Sequence, residues 1–117
     1  VDGFANDWHL VHYGARASGG AGIVMVEATA VEARGRVTAQ CCGLWSDDHM
    51  EPMRRIVRFI KSQNSIPGIQ LAHAGRKAST HNQYIKRQEL TLEEGGWADI
   101  VGPSAIGELL SNFRDQL

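Results

Sequence analysis

Two rhythms of apolar and polar positions run along this chain. A capping residue, Asn6, opens the stretch to Ser18 and Gly19-Gly20 closes it, so the sequence predicts a helix of about three turns, weakened at Gly14. Gly22-Ile23-Val24-Met25-Val26-Glu27-Ala28 then reads as an apolar, β-branched strand of the kind that is covered on both faces in a parallel sheet. Arg34-Gly35-Arg36 breaks the pattern as a loop. Ser46 offers an N-cap with Asp47 and Asp48 in the first turn, and Met50, Met53, Val57 and Ile60 recur at helical spacing, which predicts a helix over 47–63. Asn64 closes that helix, Pro67 cannot continue it, and the alternation from Gly68 to His73 predicts a second parallel strand.

The order helix, strand, helix, strand implies an α/β fold, either an open doubly wound sheet or a closed barrel. From Arg76 to Gly96 the sequence is polar, with only a weak helical rhythm over 83–92, and it reads as a long loop. Gly102-Pro103-Ser104 marks a turn, and 108–117 predicts a short amphipathic helix with Leu109, Leu110 and Phe113 on one side. Two strands cannot make a sheet that covers itself, so the pattern describes part of a domain.

Composition narrows the partners. Twelve basic against 13 acidic residues in 117 give a formal charge of −1, too balanced for electrostatics alone to hold a nucleic acid or a membrane surface. No apolar run approaches the roughly 20 residues of a membrane helix, and the opening Val1-Asp2-Gly3-Phe4 lacks the pattern of a signal peptide, so a soluble, cytoplasmic protein is expected. The two cysteines, Cys41 and Cys42, are adjacent; they make no disulfide framework and read as a small apolar element of a loop.

Several residues are candidates for chemistry. The second strand carries Gly68, Gln70, Ala72 and Ala74 on one face and Ile69, Leu71 and His73 on the other. If helices cover the Ile/Leu face, the small face looks inward and leaves room for a planar ligand, with Gln70 bonding it in the plane; a buried Gln satisfied by nearby backbone is an equally good reading. Glu27 and Thr29 lie at the carboxyl end of the first strand, where α/β folds place their sites. For Glu27 the favoured reading is pairing with a cation among Arg34, Arg36, Arg76 and Lys77. His9 and His12 share a helix face at a spacing that suits two zinc ligands, but no third ligand is fixed, so core or surface histidines are expected. Arg54, Arg55, Arg58 and Lys61 form a solvated basic side, and no phosphate-binding glycine loop is present.

Four strings, from Asp2 to Tyr13, from Val26 to Val31, from Gly43 to His49 and from Gly68 to Lys77, resemble the Old Yellow Enzyme family in its own order. They are most similar to its thermophilic-like NADPH dehydrogenase branch, with Gly95-Gly96-Trp97 and the stretch from Val101 to Ile106 continuing the likeness. The resemblance implies a partial (β/α)8 TIM barrel that binds FMN, takes hydride from NADPH or NADH and delivers it to an activated alkene such as an enone. On it, Ala28 matches a backbone position beside the flavin, Gln70 the amide on its pyrimidine edge, and Lys77 a residue near the cofactor and the site entrance. The expected division is barrel units over 1–78, the loop after the third barrel strand over 79–106 and a tail over 107–117. The family's substrate-holding His-x-x-His or His-x-x-Asn pair, its tyrosine proton donor and its late phosphate loops have no counterpart here, so no catalytic residue and no metal ligand is assigned. A small-molecule alkene is the implied partner, with no nucleic acid and no membrane, and a homo-oligomer of the full-length enzyme is compatible. Two other readings stand beside this one, a non-catalytic fragment or interaction module and a metal-dependent hydrolase on a related barrel.

Overall fold

Asn6 starts the first helix by a reciprocal pair of bonds: its side chain accepts the Trp8 N–H at 3.0 Å, and its own N–H is accepted by Nδ1 of His9 at 3.1 Å. This is a capping box with histidine in the place usually held by Glu or Gln. The computed structural model describes residues 2–82 and 89–104. In it α1 spans Asp7–Ser18, β1 Ile23–Ala30, α2 Met50–Ser62 and β2 Ile66–Ala72. The same device recurs before α2, where Ser46 and His49 form a second such box around the 3-10 turn Asp47–His49. The helix predicted over 47–63 is thus a 3-10 turn followed by α2.

β1 and β2 pair in parallel, as expected, with α2 as the connection between them. β2 begins at Ile66, two residues before the predicted start. The Ile66 N–H is donated to the Gly22 carbonyl at 2.9 Å, so the next position, Pro67, points its absent donor away from β1 and breaks no ladder bond. β1 in turn runs on to Ala30.

Both helices lie on one face of this pair. Tyr13 and Ala17 of α1, Val24 and Val26 of β1 and Met53, Ile56 and Ile60 of α2 form the core, with Ala5 and Cys42 at one end and Ile69 of β2 packed against it. The α2 stripe uses Ile56, while the sequence-predicted Met50 is 43% exposed. Full burial of Ile56 and Ile60 contributes about 1.5–3 kcal/mol each. Opposite the helices, Ile23, Met25 and Ile66 are more than half exposed. Leu71, expected under a helix, is 60% exposed, because neither α1 nor α2 reaches it.

A single irregularity positions everything at the far end of β1. Val26 pairs with Ile69, but Ala28 pairs with Gln70, so Glu27 is an extra residue, a β-bulge. Its N–H has no ladder partner and is donated instead to the Tyr13 hydroxyl at 3.0 Å, while the Thr29 hydroxyl donates to its carbonyl at 2.8 Å. Beyond the bulge, the segment Cys42–Leu44 runs beside Ala30: the Ala30 N–H bonds the Cys42 carbonyl and the Leu44 N–H the Ala30 carbonyl, both at 2.8 Å.

No helix among the described residues is long and apolar enough to cross a membrane. The predicted helix over 108–117 and residues 83–88 of the weak helical rhythm lie outside the described residues. Within that rhythm the described Glu89 makes an isolated antiparallel bridge to Thr80.

Candidate functional site

The bulge decides which side chains line the helix-free face. Plain alternation from Ile23 and Met25 would put Glu27 on that face next. The extra residue instead sends Glu27 back toward α1, where Tyr13 donates to its Oε1 at 3.2 Å, and brings Ala28 round to stand opposite Gln70. Two of the three residues singled out from the sequence, Ala28 and Gln70, therefore form one cross-strand pair. Met25 stands opposite Gly68 one step below, with its thioether end where a Gly68 side chain would be, so the space over that glycine is partly filled by a flexible methionine. Gln70 is exposed, and its amide carries no hydrogen bond among the described residues. The buried, backbone-satisfied Gln is thus not what this chain shows.

The third residue, Lys77, sits in the 3-10 turn Gly75–Lys77 just beyond β2 and is exposed. A polar clamp fixes that turn to the loop after β1. Nδ1 of His73 accepts the Gly75 N–H at 2.9 Å, which leaves the proton on Nε2 to donate to Oε1 of Glu32 at 2.6 Å; Arg34 donates to the same oxygen at 3.0 Å. The Ala74 N–H closes the clamp on the Gly35 carbonyl at 2.8 Å. The His73 bond, and after it Arg34, hold the Glu32 carboxyl below the usual carboxylate range. A carboxyl depressed in the folded state stabilises that state at neutral pH, and the contribution is lost as the pH falls through the depressed value. Carbon-detected NMR titration should place Glu32 below the other exposed glutamates, and His73→Gln should move it back up; an unmoved curve would mean that His73 is not the cause.

Farther out, the Arg36 guanidinium is held between two indoles, 5.2 Å from the Trp45 ring centre and 5.0 Å from that of Trp97. Trp97 also donates its Nε1 hydrogen to the Arg34 carbonyl at 3.0 Å. Trp97 thereby ties the long loop to the turn that follows β1.

Among the described residues, none of the cations expected for Glu27 pairs with it. Arg34 binds Glu32, Arg36 lies between the tryptophans with Asp2 at 3.7 Å, and Arg76 donates to the Ser104 carbonyl. Besides Tyr13, Glu27 faces Nε2 of His9 at 3.4 Å, and that same nitrogen lies 3.2 Å from the Cys42 thiol. Burial lowers the His9 pKa and, with the Glu27 charge, pushes the Cys42 thiol up to about 11 and the Tyr13 hydroxyl up to about 12. His12, the other half of the predicted pair, stacks on Trp8 instead. Sequence reasoning missed the His9, Glu27 and Cys42 grouping because 33 positions separate its ends.

Comparison with known proteins bears on this geometry. The family model described as the NADH:flavin oxidoreductase / NADH oxidase family matches residues 1–112. An NADH:flavin oxidoreductase of Gibberella zeae is 50% identical over 92% of this chain and 26% of its own length. An NADPH dehydrogenase of Bacillus cytotoxicus is 52% identical over 72% of this chain and 24% of its own. Among solved structures, morphinone reductase superposes with a TM-score of 0.60 at 27% identity, over 66% of this chain and 20% of its own. The chain spans about a quarter of the length of the curated relatives that it matches. Its helices and parallel strands are those of part of an α/β barrel, the closed alternative among the two topologies that the pattern allowed.

Proposed function

The chain belongs to the NADH:flavin oxidoreductase / NADH oxidase family, in agreement with the Old Yellow Enzyme motifs of its sequence, and from that premise we propose that it carries part of the FMN site of an NAD(P)H-dependent ene-reductase. The observation that carries the reading is the pairing of Ala28 with Gln70 at the carboxyl ends of two parallel strands, on the face free of helices. Sites of α/β barrels lie at that end.

The residues present fit a flavin. An unpartnered amide offers one acceptor and two donors in a plane, the pattern that matches the alternating carbonyl and N–H groups of the pyrimidine edge. The side chain opposite is a methyl group, and the next pair inward is Gly68 under a methionine that can move aside. Gln70 would hold the N3–H and O2 side, Ala28 would admit the ring with its backbone alongside, and Lys77 would stand at the mouth on the turn that the His73 and Glu32 clamp positions. FMN, when bound, supplies the hydride chemistry between NAD(P)H and the β-carbon of an activated alkene. The contribution of this chain would be orientation, with the Gln70 amide setting the angle of the ring once it bonds the pyrimidine edge.

The reading is tested by grafting residues 1–106 into a complete barrel of the family. The folded graft should purify yellow, bleach on NADPH and recover its colour on addition of an enone. A well-folded graft that holds no FMN with Gln70 intact would overturn the cofactor assignment, and a yellow graft indifferent to enones would remove the alkene. The rival reading, a non-catalytic interaction module, has in its favour the exposed Ile23, Met25 and Ile66, since an uncovered apolar face seeks a partner. A sharply unfolding monomer in size-exclusion chromatography and calorimetry would count against it.

A further inference from the structure

The grouping of His9, Glu27 and Cys42 takes no part in the proposed flavin site, since Glu27 is turned away from the helix-free face by the bulge. We propose that Nε2 of His9, a carboxylate oxygen of Glu27 and Sγ of Cys42 form a zinc site that ties α1, the β1 bulge and the Cys42–Leu44 segment together. The three donor atoms lie within 4.8 Å of one another, with Nε2 to Oε1 at 3.4 Å and Nε2 to Sγ at 3.2 Å. A tetrahedral zinc with bonds of about 2.0–2.3 Å keeps its donors about 3.3–3.8 Å apart. The His9 to Glu27 separation already matches, the His9 to Cys42 separation needs to open by about a few tenths of an ångström, and Cys42 and Glu27, within 4.8 Å of each other, would close on the same ion.

Tyr13 already donates to Glu27 at 3.2 Å, whereas the approach of Nε2 of His9 to that carboxylate, 3.4 Å, is long for a hydrogen bond and close to the separation of two donors on one metal. No lysine or arginine among the described residues pairs with Glu27. Thiolate, imidazole and carboxylate together suit a borderline-soft divalent ion, which selects zinc over magnesium or calcium.

Binding moves two protons. The Cys42 thiol releases one to solvent as the sulfur–zinc bond forms, and the His9 hydrogen leaves Nε2 for Nδ1, where the Asn6 side-chain oxygen lies 2.9 Å away to accept it. Asn6 thus becomes the outer partner that a metal-bound histidine needs, and its own exposed N–H turns to water.

The probe is cobalt(II), followed by zinc, titrated into the full chain and into the grafted barrel. The expected result in either is thiolate-to-cobalt charge-transfer absorption that zinc displaces, with a rise in Tm on adding zinc. Cys42→Ala, which keeps a small apolar side chain, should abolish the absorption and weaken zinc binding about a hundredfold or more, while the flavin content of the graft stays unchanged. Asn6→Ala should weaken zinc about tenfold, and Asn6→Asp should restore it. The proposal fails if neither protein shows the absorption, or if Cys42→Ala binds zinc as tightly as the parent does. Loss of FMN without loss of zinc would overturn the flavin reading alone.

Discussion

Gln70→Leu should weaken FMN binding in the grafted barrel by roughly tenfold to a hundredfold, or about 1–3 kcal/mol, and should leave Tm without flavin almost unchanged. The leucine keeps the size of the side chain but leaves the polar edge of the ring unpaired, and that edge loses its contact with water when it enters the site. Stability should hold because Gln70 is exposed and its amide bonds no other described residue. Fluorescence titration with FMN measures the first effect and calorimetry of the flavin-free protein the second. An unchanged dissociation constant together with a fall in Tm would mean that Gln70 serves the backbone and not the cofactor.

Ile60→Ala should cost about 2–5 kcal/mol of folding stability, the largest effect expected of any single substitution in the core. Ile60 is 0% exposed within the core that α1, β1 and α2 share, so truncation leaves a cavity there. In the grafted barrel the urea midpoint should fall with the slope unchanged. Phe59→Ala, one position away but 38% exposed, should shift the midpoint by a fraction of that amount. Equal shifts for the two would show that α2 does not pack as described.

The contrast between Ile60 and Gln70 shows what the sequence could and could not convey. α1 was legible because Asn6 and the glycines at 19 and 20 punctuate it locally, and β1 because four residues in a row, Ile23 to Val26, carry the same apolar message. Ala28 and Gln70 were named by family resemblance, and for Gln70 by the small face of its strand; their pairing depends on register, which no local pattern states. The bulge was illegible since its cause lies 14 residues away, in a tyrosine whose hydroxyl takes the Glu27 N–H. For the same reason Glu27 was matched with a cation among Arg34, Arg36, Arg76 and Lys77, while its actual neighbours come from α1 and from Cys42. The capping boxes escaped notice because histidine at their third position is not the usual signal.

The extra residue in β1 has one more consequence, which concerns insertions and deletions. A strand has only two parities, and the bulge flips the parity of everything after Val26. Deleting Glu27 would close the bulge with Ala28 still opposite Gln70, whereas drawing Glu27 into the ladder without a deletion exchanges the two faces wholesale: the carboxylate would stand opposite Gln70, and Ala28 would turn toward Tyr13. Register, more than length or residue identity, is what this stretch of the chain has least freedom to change.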